Sequence, residues 1–168
     1  MELKVFKDTI ASYGGRWETR LELPVETEIL IPDYLPAVFK IVKCLITPVV
    51  LQNRVSGGRW QSEGYLRCTV YYQGEEGAGL CQTEQKLPFT KTLELPSFGA
   101  TAWTACVEGQ TEYLNCRAVN SRRIEVRGAY GLVVSVHAQL STEVITALSE
   151  GGIEQKLTTL GGVRRAAT

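Results

Sequence analysis

The stretch Trp60-Gln61-Ser62-Glu63-Gly64-Tyr65-Leu66-Arg67-Cys68-Thr69-Val70-Tyr71-Tyr72 decides the fold class. In an extended chain Trp60, Ser62, Gly64, Leu66, Cys68, Val70 and Tyr72 fall on one side. Gln61, Glu63, Tyr65, Arg67, Thr69 and Tyr71 fall on the other, and that side is polar or aromatic. A period of two with one apolar side is the pattern of a strand resting on a core. Ile124 to His137 repeats the device: Ile124, Val126, Gly128, Tyr130, Leu132, Val134 and Val136 alternate with Glu125, Arg127, Ala129, Gly131, Val133, Ser135 and His137. Both runs are long for strands, so bends or bulges are expected, with Gly64, Gly128 and Gly131 as natural places.

Turn signals lie on either side of the deciding stretch. Ser56-Gly57-Gly58 joins Val49–Val55 to the Trp60 strand as a hairpin, glycine supplying the positive φ of a tight turn. Gln73–Gly79 turns next into Leu80–Leu87, which Pro88 is expected to end, and Phe89–Leu95 is closed by Pro96. Ala102–Cys116 follows, and Asn120-Ser121 turns it into the Ile124 strand. Strand after strand with Gly/Pro punctuation predicts an all-β fold, an antiparallel β-sandwich or open barrel with one or two short helices. The helices are expected after Pro36, where apolar residues recur at helical spacing to Ile41, and over Gly151–Leu160. The expected organisation is extended segments over 1–35 packing on a β domain of residues 36–149, then a short helix and linker-like tail over 150–168. The expected core is Leu66, Cys68, Val70, Ile124, Val126, Leu132, Val134 and Val136. Internal repeats of solenoid length are not evident.

Composition sets the outer bounds. The 168 residues carry 18 Lys+Arg against 18 Asp+Glu, and this neutrality argues against a nucleic-acid binder, which gathers a basic surplus on one face. No apolar run has the roughly 20 residues of a membrane helix, and the first ten residues lack the apolar segment of a signal peptide. The reading is a soluble, cytoplasmic protein. Cys44, Cys68, Cys81, Cys106 and Cys116 are odd in number and never form C-x-x-C, so reduced thiols packed as small hydrophobes are expected, with no metal. No P-loop, G-x-G-x-x-G or G-x-S-x-G is present, no cofactor is expected, and the single histidine, His137, has no local partner for nucleophilic chemistry. Glu75-Glu76 lies in a glycine-rich loop that neither desolvates nor fixes a carboxylate, as a catalytic acid would require.

Four phrases, in order, resemble a known family. Thr27-Glu28-Ile29-Leu30-Ile31-Pro32-Asp33-Tyr34-Leu35-Pro36-Ala37-Val38-Phe39-Lys40-Ile41 is similar to the "I-x-V-P-D-x-x-P-D-I-x-x-I-L" phrase of SPOCS-domain proteins of spore-forming Firmicutes. Glu63 to Tyr72 resembles that family's "V-E-G-x-L-x-x-x-V-L-Y", Leu87 to Leu95 its "x-P-F-x-x-x-I-x-I-P", and Ser121 to Gly128 its "x-R-x-I-E-V-R-A". The resemblance covers about Met1 to Ala138. It departs at Ala37, where the family usually has Asp, and at Gly128, where a bulkier or small residue is usual. The Gly161-Gly162-Val163-Arg164-Arg165 ending resembles a linker, so a fragment of a longer protein or an abbreviated member is expected.

What the resemblance implies is a non-catalytic protein-interaction or structural module in spore-envelope (coat) morphogenesis. Its partners would be proteins, spore-coat morphogenetic proteins among them, and its place the mother-cell side of the forespore surface. Two other classes compete with it. A carbohydrate-binding β-sandwich is suggested by Trp17, Trp60, Trp103 and seven Tyr. A thiol-dependent enzyme would need a cysteine of depressed pKa beside His137. The residues marked for partner binding are Tyr65, Arg67 and Tyr71 on the outward side of the Trp60 strand, with Arg127 on the corresponding side of the Ile124 strand. Tyr and Arg combine contact area with hydrogen bonding, as interfaces require. The competing expectation is that the segment Leu3–Ile31 covers these aromatic side chains.

Overall fold

The computed structural model describes residues 4–97, 99–149 and 156. Six strands run in chain order: β1 Val5–Leu30, β2 Val38–Ser56, β3 Arg59–Gly74, β4 Leu80–Glu94, β5 Ala102–Asn120 and β6 Arg123–Leu148. They form two antiparallel three-stranded sheets, ordered β2-β3-β4 and β1-β6-β5, so the two periodic runs are the central strands. The fold is all-β, two open sheets facing each other with apolar side chains between them. β2 meets β3 through Gly57-Gly58, whose φ values of 59° and 72° give both turn residues the left-handed backbone of a tight hairpin.

Two expectations from the sequence need correction. No α-helix forms after Pro36: β2 starts at Val38, and the chain around it is drawn into extended form by the Val38 N–H donating to the Ser121 carbonyl at 2.7 Å. Val38, Phe39, Ile41 and Val42 are β-branched or aromatic, so strand preference outweighs the helical spacing there. Among the described residues the only helical turn is a single 3₁₀ turn at Glu75–Gly77; the helix expected over Gly151–Leu160 lies outside them apart from Lys156. Pro88 does not end its strand, because β4 runs unbroken from Leu80 to Glu94. β4 is a sheet edge, where every other N–H has no ladder partner to lose. Pro24 in β1 and Pro48 in β2 also sit on edge strands.

The strand registers reveal a duplication. Arg59 pairs with Glu94 and Arg123 with Leu30; the same interval of 64 residues separates Arg59 from Arg123 and Leu30 from Glu94. Both hairpins close at the same offset, Ser56 against Arg59 and Asn120 against Arg123. The Ile31 N–H donates to the Arg122 carbonyl at 2.8 Å, and its counterpart, Leu95, donates to the Gly58 carbonyl at 2.9 Å. A β-carbon at Gly64 would stand 2.1 Å from the Val49 carbonyl oxygen, and one at Gly128 would stand 2.3 Å from that of Tyr113, again 64 residues on. The chain is therefore two tandem β-β-β units, β1-β2-β3 and β4-β5-β6. Each unit lends its first strand to the hairpin of the other. Leu23-Pro24 and Leu87-Pro88, Pro32 and Pro96, and Val70 and Val134 are among the few identities that survive.

All eight expected core residues are buried, from Leu66 at 2% exposure to Val134 and Val136 at 0%. Trp60 is also fully enclosed, and Trp17 and Trp103 pack around it with Val134 and Val136. Its indole N–H donates to Asn53 Oδ1 at 2.7 Å, and Asn53 Nδ2 donates to the Ala105 carbonyl at 3.2 Å, which ties β2 to β5 of the facing sheet. The bulges expected at the glycines lie on the partner strands instead, between Val50 and Gln52 and between Thr111 and Tyr113, because the missing side chain lets the neighbouring backbone come in close. Gly64→Ala and Gly128→Ala should each lower stability by about 1–3 kcal/mol, the usual cost of overpacking. Urea unfolding of the two variants checks this, and a parent-like midpoint for either would remove the close approach as a constraint.

Candidate functional site

β3 is the middle of its sheet, so its outward residues have neighbours on both sides. Tyr65, Arg67 and Tyr71 are half-buried and share the outward face. Tyr65 stands between Val49 of β2 and Pro88 of β4, Arg67 between Thr47 and Lys86, and Tyr71 between Lys43 and Gln82. Lys86 places its ammonium 5.0 Å from the centre of the Tyr65 ring, a cation–π contact. The N-terminal segment does not lie over this face: β1 pairs with β6 from Val5 to Leu30, in the other sheet.

The structure therefore brings Tyr65, Arg67 and Tyr71 together and sets Arg127 apart. Arg127 projects from the outward face of the β1-β6-β5 sheet, inside a lattice of opposite charges. Its guanidinium lies 2.7 Å from Glu125 and 3.8 Å from Glu26; Arg117 holds Glu125 at 2.6 Å, and Arg123 faces Glu28 at 3.8 Å. Arg20 pairs with Glu112, and Arg16 with Glu18, whose carboxylate also accepts from the Ser135 hydroxyl at 3.0 Å. The Arg117 guanidinium, helped by Arg127, holds the Glu125 carboxyl below the usual carboxylate range.

The duplication makes the two outward faces comparable position by position. Where one central strand carries Tyr65, Arg67 and Tyr71, the other carries Ala129, Gly131 and Ser135. Lys43 and Lys86, which flank the candidate residues, become their neighbours only through strand register, which the sequence alone does not show. The Leu23-Pro24 and Leu87-Pro88 pair was the available signal, since it aligns the two units.

The thiols sit elsewhere. Cys44 and Cys68 have sulfurs 3.8 Å apart on the inward side of β2 and β3, and Cys116 of β5 interacts with Cys44 from the facing sheet. For Cys44 the contact with Cys116 lowers the pKa, while the Cys68 contact and burial outweigh it and push the thiol up to about 12. The Cys116 thiol is raised by its contact with Cys44 and by burial. All five cysteines are free. His137 lies on the outward face of β6, opposite Arg16 and Thr104 and with its ring 6.4 Å from that of Tyr13. It thus points away from the core on which Cys44, Cys68, Cys81 and Cys116 pack. Among the described residues no group of three or more His, Cys, Asp and Glu could hold a metal ion, and no helix is long and apolar enough to cross a membrane.

Residues 37–119 match the family model described as SipL, SPOCS domain. This stretch of the chain is a SPOCS-family domain, and the family is sporulation-related. The match runs from the start of β2 almost to the end of β5. It contains the phrases Glu63 to Tyr72 and Leu87 to Leu95, takes in the end of the opening phrase, and stops before Ser121 to Gly128. No curated protein and no solved structure matches the chain.

Two outcomes follow from this geometry. Because the folded pKa of Glu125 lies below its ordinary value near 4.5, its ion pairs stabilise the fold above that pH and are lost as pH falls through the folded value. Glu125→Gln should therefore melt below the parent at pH 7, and the gap should close as pH falls through the folded value. Thiol labelling of the folded protein at pH 7.5 should modify Cys81 and Cys106 well before Cys44 and Cys116, and denaturant should bring all five to one rate. Mass spectrometry of peptides resolves the sites, and rapid native labelling of Cys44 would contradict the enclosed cluster.

Proposed function

We propose that this chain is a non-catalytic protein-interaction module of spore-envelope (coat) assembly, working on the mother-cell side of the forespore surface. Its docking surface is the outward face of the β2-β3-β4 sheet. The observation that carries the reading is the contrast between the two faces of a duplicated fold. One keeps every outward arginine of its central region in an ion pair; the other displays Tyr65, Arg67 and Tyr71 with no strand across them among the described residues. Half-buried aromatic and arginine side chains on a sheet face are the groups from which interface hot spots are built. Membership of residues 37–119 in the SPOCS family supports the setting in sporulation.

The competing classes gain little from the structure. Trp60 is fully enclosed and Trp17 and Trp103 are partly buried against it, so the three tryptophans serve one core cluster. Cys106 shares the outward face of His137 but stands one row away, opposite Ser135, and among the described residues no thiol is hydrogen-bonded to the imidazole, as a nucleophilic pair needs.

Affinity capture from sporulating cells tests the proposal. A Tyr65→Ala, Arg67→Ala, Tyr71→Ala triple variant that melts like the parent should lose the captured protein, and Arg127→Ala should keep it. Full capture by the folded triple variant would refute this face as the interface.

A further inference from the structure

We infer that the β2-β3-β4 face recognises an acidic segment of a protein partner, one that interleaves carboxylates with apolar or aromatic side chains. The inference rests on the interaction reading above and adds the chemistry of the ligand. Its starting point is a like-charge pair: Arg67 of β3 and Lys86 of β4 are directly opposite each other on one sheet face. Such a pair opposes folding. The fold could have removed it, and the second unit did, with Gly131 opposite Glu22 at the equivalent place. Lys43, opposite Tyr71, and Lys40, opposite Gln73, extend the same positive strip along β2. Among the described residues no carboxylate lies within ion-pair distance of Lys40, Lys43, Arg67 or Lys86, whereas Arg16, Arg20, Arg117, Arg123 and Arg127 of the other sheet are all paired.

Uncompensated cations alone would suit any polyanion. The spaces between them decide for polypeptide. Tyr65 is flanked by Val49 and Pro88, and Leu45 lies opposite Thr69 in the row between Lys43 and Arg67, so apolar surface alternates with charge along the strands. Rows on one face repeat every two residues, about 6.6 Å. That is also the side-chain repeat of an extended peptide, which could set carboxylates against Lys43, Arg67 and Lys86 and apolar groups against Leu45 and Tyr65. A nucleic acid offers phosphates but no aliphatic side chains for Val49 and Leu45.

The test is fluorescence anisotropy on the full chain with a labelled twelve-residue peptide alternating Glu with Val and Tyr. Its Gln-for-Glu counterpart and a twelve-nucleotide oligothymidylate are the comparison probes. The Glu peptide should bind at least tenfold more tightly than the Gln peptide and weaken as salt rises from 50 to 300 mM. Arg67→Gln, Lys86→Gln should lose at least tenfold in affinity while melting at or above the parent, since the like-charge pair is gone. Equal affinity for both peptides, no binding, or tighter binding of the oligothymidylate would overturn the inference. A failed peptide beside a successful face-dependent protein capture would sink the acidic partner alone. Capture that survives the folded Tyr65/Arg67/Tyr71 variant would sink the interaction reading itself.

Discussion

Everything in this fold depends on the exchange of first strands between its two halves. A two-stranded hairpin is marginal in water, and a third strand with an apolar face is what lets a small sheet persist. Neither half keeps its own third strand: β1 pairs with β6, and β4 with β3. The two sheets are thus committed to each other before any side chain packs between them. The links that carry out the exchange are anchored by matching hydrogen bonds, Ile31 to Arg122 and Leu95 to Gly58, where each link leaves its sheet beside that sheet's hairpin turn. The first link is held further, since the Arg122 guanidinium donates to the Pro32 and Leu35 carbonyls and the Tyr72 hydroxyl to that of Pro36. Such pairing joins residues far apart in sequence, Val5 with Leu148 at the extreme, and topologies of that kind fold slowly.

The same exchange explains what was legible in the sequence and what was not. Each central strand must bury one face along its whole length, so alternation from Trp60 to Tyr72 and from Ile124 to His137 could be read directly, and with it the core. The edge strands carry a weaker constraint. They tolerate Pro24, Pro48 and Pro88, and proline reads as a stop signal when the position of a strand in its sheet is unknown. The segment after Pro36 was misread for a related reason. Its apolar residues fit a helical spacing, but the Ser121 carbonyl, more than 80 residues away, captures the Val38 N–H and draws the chain straight. The duplication was invisible because core positions demand only volume and polarity. Cys68 answers to Leu132 and Trp60 to Ile124, and identity survives where backbone geometry leaves little choice, as at Gly64 and Gly128.

The candidate face was only half legible. The outward direction of Tyr65, Arg67 and Tyr71 follows from the period of two, so these residues could be chosen before the fold was known. Grouping Arg127 with them could not be checked in the same way, because period assigns a side of a strand and not a sheet. The cations that complete the face come from β2 and β4, and they become neighbours only through register.

Duplication turns a description of one surface into a controlled comparison. Both central strands carry the same alternation and are flanked by β4 and β1 in the same register, so the differences at positions 65, 67 and 71 against 129, 131 and 135 reflect the side chains chosen there. On one, positions 129, 131 and 135 carry small residues, and its arginines are neutralised by carboxylates of β1, β5 and β6. On the other, bulk and charge stand at the matching positions, and among the described residues no carboxylate forms an ion pair with Arg67 or Lys86. Leaving Arg67 opposite Lys86 costs stability, and among the described residues no ion pair offsets that cost. A partner that supplies negative charge would recover it on binding. The face that is worse for folding is then the face better suited to association, and the charge lattice opposite shows that the fold itself did not require the sacrifice.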